Sequence, residues 1–190
     1  MQVPHIPFKT VVFDLDGTLI DSARDVTLAV NRVLVRHGLT AIDDATGRSL
    51  MGEGGRVRLR KAFAMQGLAL DGERLSALVQ EFVDAYAENP VEHTAPYPGV
   101  PEVLEALAGA GLRLAVCTNK YEESARDILQ RLGLMGWLAD VAGADSFAVR
   151  KPHPGHVLQL LGRMHASARE AAMVGDSVHD VEAARGAGLP

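Results

Sequence analysis

The chain has 190 residues, with 19 Lys and Arg against 24 Asp and Glu, so its formal charge is −5 at pH 7. This acidic balance argues against a dedicated nucleic-acid binder, which needs a basic surface to displace counterions from phosphates. A single cysteine excludes an intrachain disulfide, the start MQVPHIPFKT lacks the apolar stretch of a signal peptide, and no window approaches the ~18 apolar residues of a membrane span. We therefore expect a cytoplasmic protein without membrane or nucleic-acid partners.

The first predicted element is a strand near the N-terminus. The run T-V-V-F-D-L from Thr10 is short, β-branched and followed by Gly17, which is typical of a buried parallel strand closed by a turn. The chain is longer than the roughly 150 residues of an average domain, so we expect one domain with a large insertion, or two unequal lobes.

A helical insertion is predicted directly after this strand, from about residue 20 to about residue 97. Apolar residues recur three or four apart in two stripes: Val26, Ala29, Val30, Val33 and Leu34, and then Leu75, Leu78, Val79, Phe82, Val83 and Tyr86. The second stripe ends at Asn89-Pro90, and no strand pattern lies between the two. Ser22 and Asp25 fit a capping box at the start of the first helix.

After the insertion, strands and helices alternate along the chain. Strands are predicted over residues 112–117, 139–143 and 171–174, and helices over residues 101–110, 122–132, 155–165 and 178–187. Strands separated by helices of this length imply right-handed βαβ units. The predicted fold class is therefore α/β, with a doubly wound, Rossmann-like parallel sheet and an inserted all-helical segment.

Aspartates cluster at the ends of the first and last predicted strands. Asp14 and Asp16 are two residues apart, so both point the same way at the carboxyl end of the first strand, where open parallel sheets bind ligands. Asp176 and Asp180 place two more carboxylates at that edge. Capping of a turn or a helix explains one such residue, whereas four carboxylates on one rim indicate a bound cation. Oxygen ligands of this kind suit Mg²⁺.

Two other turns at the same edge carry groups that can hold an anion. Thr118 and Asn119 end the second predicted strand, where a hydroxyl and the amides of a helix start favour phosphate, although a plain helix cap also fits. Lys151, in R-K-P-H-P, is one of four lysines, and a surface position is the default interpretation of that residue alone. The nearby His153 and His156 lack the further ligands that a zinc site needs.

Taken in order, these segments resemble the four motifs of the haloacid dehalogenase superfamily, specifically its phosphatases of the phosphoglycolate phosphatase type. The matching stretches are D-L-D-G-T-L-I-D-S from Asp14, C-T-N-K around Thr118, R-K-P-H-P around Lys151 and G-D-S-V-H-D from Gly175. The resemblance covers essentially the whole chain. It implies a catalytic core formed by residues 1–19 and 98–190, and a substrate-selecting helical cap of type C1 formed by residues 20–97.

The resemblance also implies catalytic roles for the aspartates. Asp14 would be the nucleophile that attacks phosphorus, and Asp16 would protonate the leaving oxygen and then deprotonate the hydrolytic water. Mg²⁺ would be held by the Asp14 side chain, the Asp16 backbone carbonyl and Asp176, with Asp180 in support.

Substrate binding is implied for residues of the core and of the cap. The transferring phosphoryl oxygens would be bound by Thr118, the Asn119 backbone and Lys151. In the cap, the glycine-containing stretch with Gly52, Gly54 and Arg56 corresponds to a loop that closes over the substrate, although a flexible interhelical turn explains it equally well. Arg48 or Arg56 would then pair with a substrate carboxylate.

The predicted function is that of a Mg²⁺-dependent phosphomonoester hydrolase that acts through an aspartyl-phosphate on a small phosphorylated metabolite, with 2-phosphoglycolate first in line. Two alternatives within the superfamily stay open, a sugar-phosphate phosphatase and a mutase like β-phosphoglucomutase, because both keep the four motifs. A non-catalytic interaction protein on this scaffold is the alternative from a different class. The oligomeric state also stays open, and the Met- and Leu-bearing cap can present a homodimer surface.

One departure from the family pattern concerns the C-terminus. Members usually continue after A-A-R-G-A-G-L-P with a further strand and a helix, whereas this sequence stops at Pro190. The resemblance therefore implies that the C-terminal edge strand is missing and that the strand ending at Gly175 becomes a sheet edge. We expect such a chain to be less stable than its relatives or to recruit a strand from another molecule.

Overall fold

The computed structural model describes residues 7–190. Residues 1–6, on which the prediction about a signal peptide partly rests, lie outside the described residues. The chain forms two compact units, one made of the described part of Met1–Ile20 with Pro96–Pro190 and the other of Asp21–Ala95. The assignment of these segments as catalytic core and substrate-selecting cap stays a prediction. Among the described residues, no helix combines the length and the apolar character that crossing a membrane would require.

The secondary structure alternates in the first unit and is helical in the second. In chain order the elements are β1 (Thr10–Phe13), β2 (Ile20–Asp21), α1 (Ala23–Arg36), α2 (Asp44–Ser49), α3 (Gly55–Met65), α4 (Gly72–Glu88), β3 (Ala95–Pro96), α5 (Val100–Gly109), β4 (Arg113–Cys117), α6 (Glu122–Arg131), β5 (Leu138–Ala142), α7 (Gly155–Arg163), β6 (Ala171–Val174) and α8 (Val178–Ala187). Short 3-10 turns precede β5 and β6.

A parallel sheet forms the centre of the first unit. Its four described strands have the order β5-β4-β1-β6, and all neighbouring pairs are parallel. Every residue of β1 is buried, which explains why its sequence T-V-V-F is apolar or β-branched throughout rather than alternating with polar residues. The predicted α/β fold with a parallel sheet is therefore confirmed.

The predicted boundaries agree closely with the observed ones. The three strands after the insertion are displaced by at most one residue at either end, and the four helices by at most two. The prediction misses β2 and β3, which pair with each other. Two residues per strand are too few to show a strand periodicity, and this explains the omission.

Among the described strands, β6 is the outermost one next to β1. It pairs with β1, and the backbone N–H of Met173 also donates to the carbonyl of Pro190 at 3.2 Å. Val174, the last residue of β6, is 44% exposed although it is apolar. The strand that leads to Asp176 is thus only partly covered at its carboxyl end.

A buried cluster joins α7 and α8 to the sheet. Its members include Val12, Ala115, Cys117 and Ala142 from the strands, Val157, Leu160 and Leu161 from α7, and Ala183 and Ala184 from α8. Burial raises the pKa of the Cys117 thiol to about 12, so this side chain is a neutral, apolar part of the core. The cluster holds the helices whose first turns lie at the carboxyl edge of the sheet.

The second unit is a bundle of the four helices α1–α4. Helix α1 packs against the other three, and α3 also packs against α4. At the contact of α1 with α2, a Cβ on Gly47 would lie 1.9 Å from Oγ1 of Thr27, so only glycine permits this approach. Leu59 and Phe63 of α3 are fully buried in this unit.

The start of α1 differs from the predicted capping box. Ser22 occupies the N-cap position, but its side chain makes no capping hydrogen bond. The carboxylate of Asp25 instead accepts hydrogen bonds from the backbone N–H groups of His93 and Thr94, at 2.8–3.0 Å, and from the Thr94 hydroxyl at 2.7 Å. Asp25 thus accepts the hydrogen bonds of backbone N–H groups in the segment after α4, and it is not the reciprocal partner of Ser22.

Candidate active site

Lys151 joins two aspartates at the carboxyl edge of the sheet. Asp14 directly follows β1, Lys151 lies in the loop before α7, and Asp180 lies in the first turn of α8. The Lys151 ammonium donates to Oδ1 of Asp14 at 2.7 Å and to Oδ1 of Asp180 at 2.6 Å. The exposed fraction of the three side chains is between 2% and 8%. Little water reaches these groups, so the one ammonium is the main partner that offsets the charge of the two carboxylates.

Burial and mutual attraction shift the pKa values of all three groups. Burial raises the pKa of the Asp14 carboxyl to about 6, against the lowering effect of the Lys151 ammonium. Burial also disfavours ionised Asp180, but the ammonium and hydrogen bonds from Ser177 hold its pKa below the usual value. Burial opposes the charged form of Lys151 too, yet the two carboxylates outweigh it and hold its pKa above the usual value. Lys151 is therefore a cation at neutral pH.

Asp180 belongs to a capping box as well as to this cluster. Its Oδ2 accepts hydrogen bonds from the backbone N–H of Ser177 at 3.0 Å and from the Ser177 hydroxyl at 2.6 Å. A Cβ on Gly175 would lie 2.4 Å from Cγ of Asp180, so glycine is needed where β6 ends. One carboxylate oxygen thus caps α8 while the other contacts Lys151.

Asp176 is held by the turn that follows β1. The hydroxyl of Thr18 donates to Oδ1 of Asp176 at 3.1 Å. Gly17 has a φ of +91°, and a Cβ at this position would lie 2.3 Å from Oδ2 of Asp176. Glycine is therefore required at position 17 both by the backbone conformation and by the space that the carboxylate occupies.

The aspartates at this edge can hold a metal ion. Asp14, Asp176 and Asp180 each offer one carboxylate oxygen, and these three atoms lie within 4.8 Å of one another. Hard oxygen ligands grouped in this way suit Mg²⁺, which takes a few carboxylates together with water and substrate oxygens. The donor set therefore fits a hard divalent cation.

Asp16 forms a separate ion pair at the same edge. Its Oδ2 lies 3.2 Å from Nζ of Lys120, and the two side chains are only 13% and 10% exposed. Lys120 follows the turn after β4, whereas Asp16 follows β1, the neighbouring strand. The two aspartates that follow β1 thus have different cationic partners, Lys151 for Asp14 and Lys120 for Asp16.

The turn after β4 carries Thr118 and Asn119, the residues predicted to bind phosphate, and it contacts the Lys151 loop. Thr118 is 1% exposed, and its hydroxyl oxygen accepts a hydrogen bond from the backbone N–H of Lys120 at 3.2 Å. The side-chain amide of Asn119 donates to the carbonyl of Lys151 at 3.1 Å. Accepting one hydrogen bond leaves the Thr118 hydroxyl hydrogen for a donor role.

His156 holds the Lys151 loop from the opposite side. It is fully buried, its Nδ1 accepts a hydrogen bond from the Lys151 N–H at 3.1 Å, and its Nε2 lies 2.9 Å from the carbonyl of Gly143. Because a carbonyl can only accept, Nε2 carries the hydrogen. Burial lowers the pKa of His156 to about 4, so the ring is neutral at neutral pH.

The comparison with protein families decides to which one this site belongs. Residues 11–190 match the family model described as haloacid dehalogenase-like hydrolase. The chain belongs to the haloacid dehalogenase-like hydrolase family.

Individual members of this family are similar over almost the whole chain. A phosphoglycolate phosphatase of Mesorhizobium japonicum is 43% identical over 180 residues, which cover 95% of this chain and 79% of the relative. An N-acetylmuramic acid 6-phosphate phosphatase of Pseudomonas aeruginosa is 35% identical over 95% of this chain and 78% of its own length. The crystal structure of a predicted phosphoglycolate phosphatase from Haemophilus somnus has a TM-score of 0.88 at 32% identity, over 96% of this chain and 83% of that one. The predicted family and the predicted enzyme class, phosphatase, are confirmed by these matches.

The core residues predicted from the family motifs lie at one edge of the sheet. This group consists of Asp14, Asp16, Thr118, Asn119, Lys151, Asp176 and Asp180. Their arrangement follows from the parallel sheet, because the turns after β1, β4 and β6 all leave it at the same edge. Their individual roles stay predictions.

The cap residues predicted to bind substrate lie in the second unit. Gly52 and Gly54 have φ values of +91° and +81°, and Gly54 is the N-cap of α3. The guanidinium of Arg56 donates to the Ser76 hydroxyl at 3.1 Å, and that of Arg48 forms a two-fold contact with Asp21. A role of these residues toward a substrate stays a prediction.

The sequence interpretation missed the contacts that Lys120 and His156 make at this site. Both lie inside or beside motif stretches, in C-T-N-K and R-K-P-H-P-G-H, but neither stretch indicates a partner for them. Lys120 is one of four lysines, and no local pattern separates it from Lys9 or Lys61. The only available signal is that Lys120 immediately follows the predicted phosphate-binding turn.

Proposed function

We propose that this family member hydrolyses phosphate monoesters in a Mg²⁺-dependent reaction that passes through an aspartyl-phosphate, with 2-phosphoglycolate as its substrate. The observation that carries the proposal is the Lys151 ammonium, 2.7 Å from Asp14 and 2.6 Å from Asp180. This contact supports a nucleophilic role for Asp14, because the ammonium stabilises the buried carboxylate and can also contact a phosphoryl group bound beside it.

The first half-reaction transfers the phosphoryl group to Asp14. A carboxylate oxygen of Asp14 attacks phosphorus, the bond from phosphorus to the ester oxygen breaks, and an acyl phosphate forms. Lys151 contacts Oδ1, so Oδ2 is the oxygen left for the attack in this arrangement. The leaving oxygen takes a proton from the carboxyl of Asp16 and departs as an alcohol.

The second half-reaction restores the enzyme. Asp16, now ionised, takes a proton from a water molecule, and the oxygen of that water attacks phosphorus. The bond between phosphorus and Asp14 breaks, which releases inorganic phosphate. Asp14 is again a carboxylate and Asp16 again carries a proton, so the cycle is balanced.

Positive charge and hydrogen-bond donors around phosphorus lower the barrier of both steps. The Thr118 hydroxyl, the Asn119 backbone N–H and the Lys151 ammonium bind the phosphoryl oxygens. The side chains of Asp14, Asp176 and Asp180 and the backbone carbonyl of Asp16 would hold Mg²⁺. The ion, when bound, supplies charge that offsets the carboxylates and the phosphate dianion.

The choice of 2-phosphoglycolate is supported by the relative that is 43% identical and carries the name phosphoglycolate phosphatase. The relative named N-acetylmuramic acid 6-phosphate phosphatase, at 35% identity, supports a phosphorylated sugar as the second candidate. Both names describe hydrolysis of a small phosphate monoester, so the reaction is the same for either candidate.

The test is a phosphate-release assay with 2-phosphoglycolate, a hexose phosphate and pyrophosphate, each with Mg²⁺ or with EDTA. We expect release from 2-phosphoglycolate with Mg²⁺ and none with EDTA. Faster release from the hexose phosphate would favour the second candidate. Isomerised sugar phosphate without net phosphate release would reject the hydrolase in favour of a mutase.

The nucleophile is tested with Asp14→Asn, which should abolish turnover while the protein stays folded. Asp127→Asn is the matched control, because among the described contacts the Asp127 side chain has just an exposed ion pair with Arg131 on α6. We expect that no acid-stable phosphoenzyme forms in the Asp14 variant and that the control keeps full activity. Retained turnover in the Asp14→Asn variant would rule out the assignment.

A further inference from the structure

Lys120 is anchored by its backbone and reaches Asp16 with its side chain. Its N–H donates to the Thr118 hydroxyl at 3.2 Å, and its carbonyl accepts from the Ala144 N–H at 2.8 Å. Next to it, a Cβ on Gly143 would lie 2.7 Å from the Lys120 carbonyl oxygen, so the neighbouring loop also packs tightly. The position of the Lys120 backbone is therefore fixed relative to the phosphate-binding turn.

The two lysines of the site have different surroundings. The Lys151 ammonium is held between Asp14 and Asp180 and is 2% exposed. The Lys120 side chain is 10% exposed and has an ion pair with Asp16, itself 13% exposed. The Lys151 side chain is thus more deeply buried than those of Lys120 and Asp16.

We propose that Lys120 determines specificity by binding an anionic group, a carboxylate, that the leaving part of the substrate carries. The inference rests on the proposed reaction, in which Asp16 protonates the leaving oxygen. It adds the residue that would recognise the charge of the leaving group, a role that the sequence interpretation assigned to no residue of the core.

The position of the leaving oxygen supports this assignment. Proton transfer requires that oxygen to lie within hydrogen-bond distance of the Asp16 carboxyl. The Lys120 ammonium is 3.2 Å from the same carboxyl, so it borders the space that the first atoms of the leaving group occupy. In the phosphate ester of a 2-hydroxy acid, the carboxylate is attached to the carbon that bears the ester oxygen, which places its charge in that space.

The chemistry of the lysine side chain also fits this role. An ammonium is a compact charge with three donors on a flexible four-carbon stem. It can therefore donate to Asp16 and to a second carboxylate at the same time. A leaving group without a charge would gain no ion pair with Lys120. Esters with an anionic leaving group should therefore be preferred.

The experiment compares two substrates that differ only at this point, 2-phosphoglycolate and ethyl phosphate, in which a methyl group stands for the carboxylate. We expect the wild-type enzyme to prefer 2-phosphoglycolate in kcat/KM. Lys120→Met should lower the ratio of the two kcat/KM values about 10- to 100-fold, mainly through KM for 2-phosphoglycolate. Lys120→Arg should restore part of the ratio, because it keeps the charge.

Lys9→Met is the matched control, since Lys9 forms an exposed ion pair with Glu170 at the start of β1, whereas Asp14 follows the end of that strand. It should leave the ratio unchanged. A Lys120→Met variant that loses activity on both substrates equally, or on neither, would overturn the specificity role.

Failure of the proposed function is distinguishable from failure of this inference. A wild-type enzyme that releases phosphate from neither ester nor from a hexose phosphate would contradict the phosphatase reaction itself. Equal kcat/KM values of the wild-type enzyme for ethyl phosphate and 2-phosphoglycolate would overturn the role of Lys120 and leave the phosphatase reaction intact.

Discussion

The backbone N–H of Lys151 donates a hydrogen bond to Nδ1 of His156 at 3.1 Å, and the Lys151 carbonyl accepts one from Asn119 at 3.1 Å. Both polar groups of the Lys151 peptide backbone are therefore held by side chains. The His156 ring is in turn fixed through Nε2 by the carbonyl of Gly143, and it packs edge-on against Phe147 at 5.9 Å. The position of the ammonium between Asp14 and Asp180 depends on this support.

His156→Leu should lower kcat about 10- to 100-fold, because a small displacement of the Lys151 ammonium weakens its contact with the reacting groups. His156→Gln keeps a donor and an acceptor and should recover part of kcat. The measurement is a comparison of kcat and KM with far-UV circular dichroism as the test of folding.

His153→Leu is the control for the prediction about His156. His153 lies in the same loop and is exposed, and its Nδ1 accepts a hydrogen bond only from the nearby Gly155 N–H among the described contacts. It should keep nearly full kcat. Equal loss in the two leucine variants would show that the loop as a whole, and not His156, supports Lys151.

The stability of the protein should depend on pH through His156. Burial lowers its folded-state pKa to about 4, whereas an unfolded histidine titrates at about 6.5. Between these values the unfolded state binds more protons, so the stabilising contribution is complete above pH 6.5 and is lost as the pH falls toward 4. From pH 7.5 to pH 5 the loss from this group is about 2 kcal/mol.

Urea unfolding of the wild type and of His156→Gln at these two pH values measures that contribution. Other groups titrate in both proteins, so the difference between the two losses isolates residue 156. The wild type should lose more stability than the variant on acidification. Parallel loss in both proteins would mean that His156 is not held neutral by the fold.

Gly17→Ala should impair the candidate metal site. Its Cβ would lie 2.3 Å from Oδ2 of Asp176 and would push that carboxylate aside. Gly99→Ala is the matched control, because Gly99 has a similar φ of +88° but nothing within 4 Å of the added Cβ. Both changes should cost about 1 kcal/mol or more of stability through backbone strain.

Only Gly17→Ala should also raise the Mg²⁺ concentration that half-maximal activity requires, by about tenfold or more, since a misplaced ligand weakens a metal site. A titration of activity with Mg²⁺ in both variants checks this. An equal Mg²⁺ requirement in the two variants would contradict a role of Asp176 in holding the ion.

Lys151→Met should destabilise the protein by about 3–5 kcal/mol in EDTA, because it leaves the carboxylates of Asp14 and Asp180 buried without their cation. The same change in an Asp14→Asn background should cost less, since one of the two carboxylates is then absent. Urea unfolding of the four proteins gives the coupling energy. Strictly additive losses would indicate that the two residues do not interact.

Lys9→Met serves as the reference for a lysine in an exposed ion pair. The Lys9 side chain is 75% exposed in its contact with Glu170, so its loss should change stability by no more than about 1 kcal/mol.

The strand and helix boundaries of the first unit were predictable because they depend on local patterns. The T-V-V-F run of β1 is buried throughout, and helices α6 and α7, which follow β4 and β5, show buried apolar residues at helical spacing. The prediction was less complete in the second unit, where α2 and α3 are short or only weakly amphipathic. The predicted role of Asp25 in a capping box was wrong, because its actual partners His93 and Thr94 are remote in the sequence.

The amino-acid sequence alone determined the fold class, the family and the edge of the sheet at which the motif residues meet. It did so because parallel strands bring their carboxyl ends together, so that Asp14 and Asp176 share an edge whatever the details of packing. The pairing of charges was decided only by the tertiary structure. Lys151 and Asp14 are 137 residues apart, and which lysine meets which aspartate depends on the path of each loop and on buried supports such as His156. Sequence spacing does not encode such long-range contacts, and for this reason the Asp16–Lys120 pair became evident only in three dimensions.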